Sequence, residues 1–307
     1  MKIAALDVGT NTVLMLIAET MPDGTVRTIT DLARITRLGQ GVDKSHRLDP
    51  QAAARTLEAI TDFVAEAHAH GVDKIITAAT ATLRDAADSD KFIARARKAG
   101  VELDIISGET EAWLSYLAVS RGLPLDPSAK LLIVDIGGGS TEFIRAEPGA
   151  KLDMSSLQIG SVRMTERIVH SDPPSAHDAA ELRVAIDNET KALGWSYKPD
   201  VLVAIAGTAT TVCAVALGMH TYDHERIHGC KLERTEVERV IGMLGSLPLA
   251  QRRELPGMEP GRADVIFAGA AILERVMCKF ECESVIISDQ GVRWGLLWRE
   301  LGAPAPA

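Results

Sequence analysis

Apolar positions near the start of the chain come in two runs, Ile3–Leu6 and Val13–Ala18, set on either side of the turn Asp7-Val8-Gly9-Thr10-Asn11-Thr12. Short apolar runs bounded by turn residues predict buried strands, so this segment reads as a hairpin. The pattern recurs more than a hundred residues later. Lys130–Val134 is followed by Asp135-Ile136-Gly137-Gly138-Gly139-Ser140 and then by a second apolar run, and both copies close in Ala-Glu, at Ala18-Glu19 and Ala146-Glu147.

Beyond the first hairpin the spacing predicts a turn-rich stretch carrying Arg34, Arg37 and Leu38-Gly39-Gln40-Gly41. Asp49-Pro50 then opens a helix as N-cap and first-turn proline, with Leu57, Ile60 and Val64 on one face and Gly71 closing it. A strand over Lys74–Ala79, a helix near Asp90–Ala99, a strand over Val101–Ser107 and a helix from Gly108 follow. The breakers between Arg121 and Pro127 mark a boundary, which puts one domain at 1–125 and a second at 126–307. A last helix at about 290–307 is expected to pack back on the first domain. The second half repeats the alternation: a strand at Val201–Ala206, a helix capped by Ser175, helices at Thr235–Leu244 and Ala263–Phe280, and a strand at Ser284–Ser288. Only Ala303–Ala307 looks unstructured. The fold class is therefore α/β, a duplicated domain with its ligand expected in the cleft between the copies.

Composition narrows the field. Of the 307 residues 46% are hydrophobic and 24% charged, which suits a globular protein with two cores. No apolar run is long enough for a membrane span and no signal-peptide pattern opens the chain, so a cytoplasmic location is expected. The net charge of −9 argues against a nucleic-acid partner. Cys213, Cys230, Cys278 and Cys282 have no zinc-site spacing. Cys278 and Cys282 could share a helix face, and reduced core thiols are the better reading.

The repeat carries the chemistry. A single turn of Gly9 and Asn11 would pass for an ordinary tight hairpin. A second copy with its aspartate in register changes that, because two strand-end carboxylates are costly to bury without a cation. Paired loops of this kind surround a phosphate with backbone N–H groups while Asp7 and Asp135 hold a metal, which points to phosphoryl transfer. The glycines match neither a dinucleotide fingerprint nor a Walker loop. Glu142 reads either as a solvent-facing strand residue or as an outer partner of the metal. Glu109 and Glu111 are helix-start acids in Ser107-Gly108-Glu109-Thr110-Glu111, and both are candidates for a general base. Arg84 reads as half of a solvated pair with Asp85 or as a cleft residue that stabilises transferring phosphate. Gly207-Thr208-Ala209-Thr210 reads as a compact helix start or as a turn that lets a ligand approach the backbone closely.

These residues together resemble the exopolyphosphatase and guanosine pentaphosphate phosphatase family of the actin-like, sugar-kinase and heat-shock ATPase superfamily. The likeness runs through Asp7–Thr12, Ala79–Ala86, Ser107–Ala112, Asp135–Glu142, Gly160–Glu166, Gly207–Thr210, Arg226–Gly229, Pro256–Asp264 and Ser288–Arg293. It implies two actin-like (ribonuclease H-like) domains with an active-site cleft between them. It implies Glu111 as the base and Arg84 as a phosphate-binding arginine. It also implies magnesium, or manganese, on Asp7, Asp135 and Glu142, and phosphate loops at Gly9, Thr10, Asn11, Thr12 and at Gly137, Gly138, Gly139, Ser140. Thr10 and Thr12 stand for the commoner serines and keep the hydroxyls. Thr110 replaces a frequent glutamate, and Trp294 stands where the family usually has glutamate. The implied activity is hydrolytic release of orthophosphate from inorganic polyphosphate, short chains in particular, by a homodimer. Guanosine pentaphosphate 5′-phosphohydrolysis is the alternative substrate reading, and a nucleotide-binding switch without fast hydrolysis the alternative of another class.

Overall fold

The computed structural model describes residues 1–21 and 23–303, the side chains of Asp43 and Lys44 excepted. The tail reading from Pro304 on lies outside the described residues. Two compact units emerge: Met1–Ala118 joined by the described residues from Gly291 on, and Val119–Gln290.

The first unit begins with β1 (Lys2–Val8), β2 (Thr12–Thr20) and β3 (Val26–Ile35), followed by the short α1 (Val42–Ser45), α2 (Pro50–Ala69) and β4 (Lys74–Ala79). Then come α3 (Ala81–Asp85), α4 (Ser89–Lys98) and α5 (Gly108–Gly122), which runs past the division between units. The sheet order is β3-β2-β1-β4, with β4 parallel to β1 and the other pairs antiparallel. Central β1 is buried on both faces, which explains its unbroken apolar run. The α2 start is as its residues dictate. Asp49 accepts the Ala52 N–H at 2.8 Å, a cap worth about 1 kcal/mol. Ile60, Phe63 and Val64 of α2 join Leu6, Met15 and Ile17 in the core.

The second unit continues with β5 (Leu131–Ile136), β6 (Thr141–Ala146), β7 (Asp153–Leu157), α6 (Ser161–Ile168), α7 (Ala176–Lys191) and β8 (Val201–Ile205). It is completed by α8 (Ala206–Ala216), α9 (His224–Ile227), β9 (Lys231–Glu233), α10 (Arg234–Ser246), α11 (Leu249–Arg252), α12 (Ile266–Lys279) and β10 (Ser284–Ile287). Its sheet order, β7-β6-β5-β8-β10-β9, contains the first unit's scheme strand for strand, with β8 parallel to β5 as β4 is to β1. The duplication seen in the sequence is thus a duplication of topology. The last element of the described residues is α13 (Val292–Glu300), which packs against β1 and β4 of the first unit.

Three expectations need correction. The turn-rich stretch after the first hairpin contains β3, an edge strand whose Arg27, Thr28, Ala33 and Arg34 face solvent and so break the apolar pattern. Val101–Ser107 alternates like a strand and runs beside β4, yet it forms only the bridge Ala79–Ile105. The Thr77 hydroxyl explains this, since it donates to the Glu102 carbonyl at 2.8 Å and accepts the Asp104 N–H at 2.9 Å where ladder bonds would form. Cys278 and Cys282 do not share a helix face. The helix α12 ends at Lys279 and Glu281 turns the chain with φ 54°. All four cysteines are free thiols.

Candidate functional site

Each unit carries one copy of the loop. In the first, the Gly9 N–H donates to the Thr12 carbonyl at 3.1 Å, and in the second the Gly137 N–H donates to the Ser140 carbonyl at 3.0 Å. A Cβ on either glycine would lie 3.1 Å from that same carbonyl oxygen. The turns are equivalent residue for residue, and the strand register extends the match. Asp7 sits opposite Leu14, and Asp135 opposite Glu142.

In the first unit, Asp7 ends β1 inside the core, 8% exposed, and its Oδ1 is buried without a hydrogen-bond partner. Burial pushes this carboxyl up to about 7 against the opposing pull of Arg293. Arg293 belongs to α13 and is locked on Asp31 of β3 by two bonds of 2.9 and 2.8 Å. The Thr10 hydroxyl accepts from Thr82 at 2.9 Å. Two residues along, Arg84 Nη1 donates to the Ile106 carbonyl at 2.9 Å and lies 3.7 Å from Glu111 Oε2. Arg84 is therefore directed at the start of α5. Glu111 is half-buried beside it, whereas Glu109 is exposed. Ser107 does cap this helix, accepting the Thr110 N–H at 3.1 Å, so helix-start chemistry and a placed carboxylate coexist.

In the second unit, Asp135 ends β5 and Glu142 lies across from it on β6. Glu142 Oε1 accepts two hydroxyls, from Ser140 at 2.7 Å and from Ser156 at 2.9 Å. Glu142 is thus oriented rather than a loose strand residue. Gly207 opens α8 with the Arg262 guanidinium packed where its side chain would be, while Thr208 donates to the Ile136 carbonyl at 2.8 Å. Trp294, in α13, stacks near Trp298 with ring centroids 6.4 Å apart.

The loops expose amides because their carbonyls are held elsewhere. A trans peptide points its C=O and N–H in opposite directions. In the first loop the Gly39 N–H binds the Thr10 carbonyl at 2.8 Å, and the Thr36 and Arg37 N–H groups both bind that of Asn11 at 3.0 Å. The N–H groups of Asn11 and Thr12 consequently face the other way. In the second loop, Ser161 N binds the Gly137 carbonyl at 2.9 Å, Val162 N and Arg163 N bind that of Gly138 at 2.9 and 3.1 Å, and Arg163 Nε binds that of Gly139 at 2.7 Å. The amides of Gly138, Gly139 and Ser140 are turned away from α6. Rows of like-oriented N–H groups suit phosphate oxygens.

Among the described residues no three His, Cys, Asp or Glu side chains gather into a metal cage. A hard cation that keeps water and phosphate oxygens as ligands does not need one. The orphaned Asp7 Oδ1 and the half-exposed Asp135 and Glu142 are oxygen donors of the type that such an ion takes. Residues not singled out from sequence are Thr82, Ser156 and Asp31. Each acts through a neighbour, and a lone hydroxyl or carboxylate gives no signal of that in the sequence.

Comparison with known proteins agrees with this architecture. The Ppx/GppA phosphatase family model matches residues 16–303. The chain is 34% identical over 287 residues to Exopolyphosphatase 2 of Mycobacterium tuberculosis, covering 90% of this chain and 89% of that one. It is 30% identical over 304 residues to the guanosine-5′-triphosphate,3′-diphosphate pyrophosphatase of Vibrio atlanticus, covering 96% of this chain and 58% of the other. The solved Ppx/GppA family member of Aquifex aeolicus superposes with a TM-score of 0.84 at 29% identity, covering 98% of this chain and 97% of that one.

Proposed function

The chain belongs to the Ppx/GppA phosphatase family, and from that premise we propose that it hydrolyses the terminal phosphoanhydride bond of inorganic polyphosphate and releases orthophosphate. The observation that carries the reading is the placement of half-buried Glu111 within 3.7 Å of Arg84, on the unit that also holds the first phosphate loop. Glu111 takes a proton from water as its oxygen bonds to the terminal phosphorus. The bridging P–O bond breaks and the shortened chain leaves as an oxyanion. Arg84 orients the Glu111 carboxylate and supplies positive charge for the equatorial oxygens. Asp7 on the first unit, and Asp135 and Glu142 on the second, are the carboxylates that would take Mg²⁺, whose chemistry when bound is to neutralise phosphate charge. The loop amides bind the phosphoryl oxygens, and the hydroxyls of Thr10 and Thr12 supplement them.

Guanosine pentaphosphate is the second substrate reading, favoured by the likeness to the Vibrio pyrophosphatase. The test is phosphate release by the purified chain with Mg²⁺ on polyphosphate, guanosine pentaphosphate and ATP. Highest kcat/KM on polyphosphate is expected. Preference for the guanosine substrate would replace the substrate assignment. Tight nucleotide binding with no phosphate release from any of the three would replace the enzyme reading with a nucleotide switch.

A further inference from the structure

The three carbonyls of the second loop are not held alike. Those of Gly137 and Gly138 are held by backbone N–H groups of the first turn of α6, which any sequence in a helix there would supply, with the Ser161 hydroxyl adding a bond of 3.2 Å to the Gly137 carbonyl. The Gly139 carbonyl is held by a side chain, Arg163 Nε, at 2.7 Å. The two half-buried segments are pressed together at this point. A Cβ on Gly160 would fall 2.3 Å from the Gly138 oxygen, and one on Gly139 would fall 3.5 Å from Arg163 Nη2.

The Gly139–Ser140 peptide therefore depends on one side-chain donor for its orientation. Its N–H, belonging to Ser140, points opposite to the carbonyl that Arg163 holds. Ser140 also places its hydroxyl on Glu142, so a rotation of this peptide would disturb both the last amide of the phosphate loop and the Glu142 carboxylate. We propose that Arg163 is a positioning residue for phosphate binding, one that acts through the Nε hydrogen bond to Gly139 and aims the Ser140 N–H at the phosphoryl group. The assignment rests on the proposed function for its substrate, while the geometry behind it is that of the loop alone.

Side-chain length makes the test sharp. Glutamine carries its amide nitrogen the same number of bonds from the backbone as arginine carries Nε, and methionine carries a methyl group there. Arg163→Gln keeps the donor without the charge, and Arg163→Met keeps the shape without the donor. Polyphosphate KM and kcat would be measured for both variants, along with calorimetric binding of a non-hydrolysable imido analogue of triphosphate and thermal melts. Arg163→Met is expected to weaken analogue binding and raise KM on the order of tenfold, the effect of losing a positioned charge-assisted bond. Arg163→Gln should stay within about threefold of wild type, since the neutral amide restores the tie. If Arg163→Gln is as impaired as Arg163→Met, the charge itself is what the substrate needs and the positioning role is refuted. Wild-type behaviour of Arg163→Met refutes it as well. Should Arg163→Met fail to fold, the glutamine variant decides by the same threefold and tenfold marks. Absence of phosphate release by the wild type would overturn the proposed function, and the analogue-binding comparison would still decide the role of Arg163. A wild type that binds no analogue overturns both.

Discussion

The two hairpins share one turn and differ in what faces the aspartate across the strand pair. Leu14 faces Asp7, and the carboxylate ends up 8% exposed with an orphaned oxygen. Glu142 faces Asp135, and that half-exposed pair sits among the hydroxyls of Ser140 and Ser156. A duplicated element has thus become one dry acid and one wet pair. The dry acid is costly in the absence of a cation and gains most when one binds, whereas the wet pair is already solvated and hydrogen-bonded. The loops diverge in their supports too. The first rests on the irregular segment Thr36–Gly39 and the second on the first turn of a helix.

The comparison breaks most severely at the aspartates. Asp7→Asn and Asp135→Asn are both expected to abolish Mg²⁺-dependent phosphate release, but only the first should stabilise the metal-free protein. Asp7 holds its proton in the folded state up to about pH 7, while the unfolded carboxyl ionises near its ordinary value. Between those values folded protein binds more protons than unfolded, so stability falls as pH rises, and above about 7 the penalty is complete. Asp7→Asn should recover up to about 4 kcal/mol at pH 8 and little at pH 4. Urea melts of the metal-free proteins at the two pH values check this. An equal gain in Asp135→Asn would erase the distinction between dry and wet acids.

Next in size is the base. Glu111→Gln should lower kcat about a hundredfold with little change in KM, and Glu109→Gln no more than about threefold. Single-turnover phosphate release measures both, and a larger loss in Glu109→Gln would move the base to the exposed position.

The loop supports should separate by stability. A methyl group at Gly160 meets backbone, the Gly138 carbonyl oxygen at 2.3 Å, while one at Gly39 meets the side-chain atoms Thr10 Cγ2 at 2.3 Å and Thr82 Oγ1 at 2.9 Å. Gly160→Ala is expected to cost about 1–3 kcal/mol in denaturant melts, and Gly39→Ala less, because the threonines can rotate. The smallest effect belongs to Ser156→Ala. Glu142 keeps its bond from Ser140, so a loss of only about two- to fivefold in kcat/KM is expected.

Much of this was legible from the chain. The hairpins declared themselves because buried strands need long apolar runs and their turns need Gly and hydroxyl residues, and α2 because Asp49-Pro50 and Gly71 punctuate it. β3 stayed hidden because an edge strand alternates with charge, and its Asp31 gave no hint of the bond to Arg293, 262 residues away. Val101–Ser107 misled for the opposite reason: its alternation is that of a strand, and a single hydroxyl on the neighbouring strand took the ladder's place. At the site, residues belonging to the repeated turn could be found by matching the copies. Thr82, Ser156 and the Arg163 tie could not, because each depends on a contact that no local spacing encodes.

The return of α13 to the first unit has a consequence for synthesis. Val292, Leu296 and Leu297 are buried there, and a Cβ on Gly295 would fall 2.1 Å from the Leu114 carbonyl oxygen, so this helix lies directly against the backbone of α5. A ribosome delivers these residues after all those of the second unit. The second unit, whose residues are contiguous, has its whole core available while the first still lacks the helix that covers β1 and β4 and brings Arg293 to Asp31. The unit begun first is therefore completed only after the second. An arrested nascent chain that stops before Gly291 should protect the second unit from protease while leaving the opening hairpin open to cleavage.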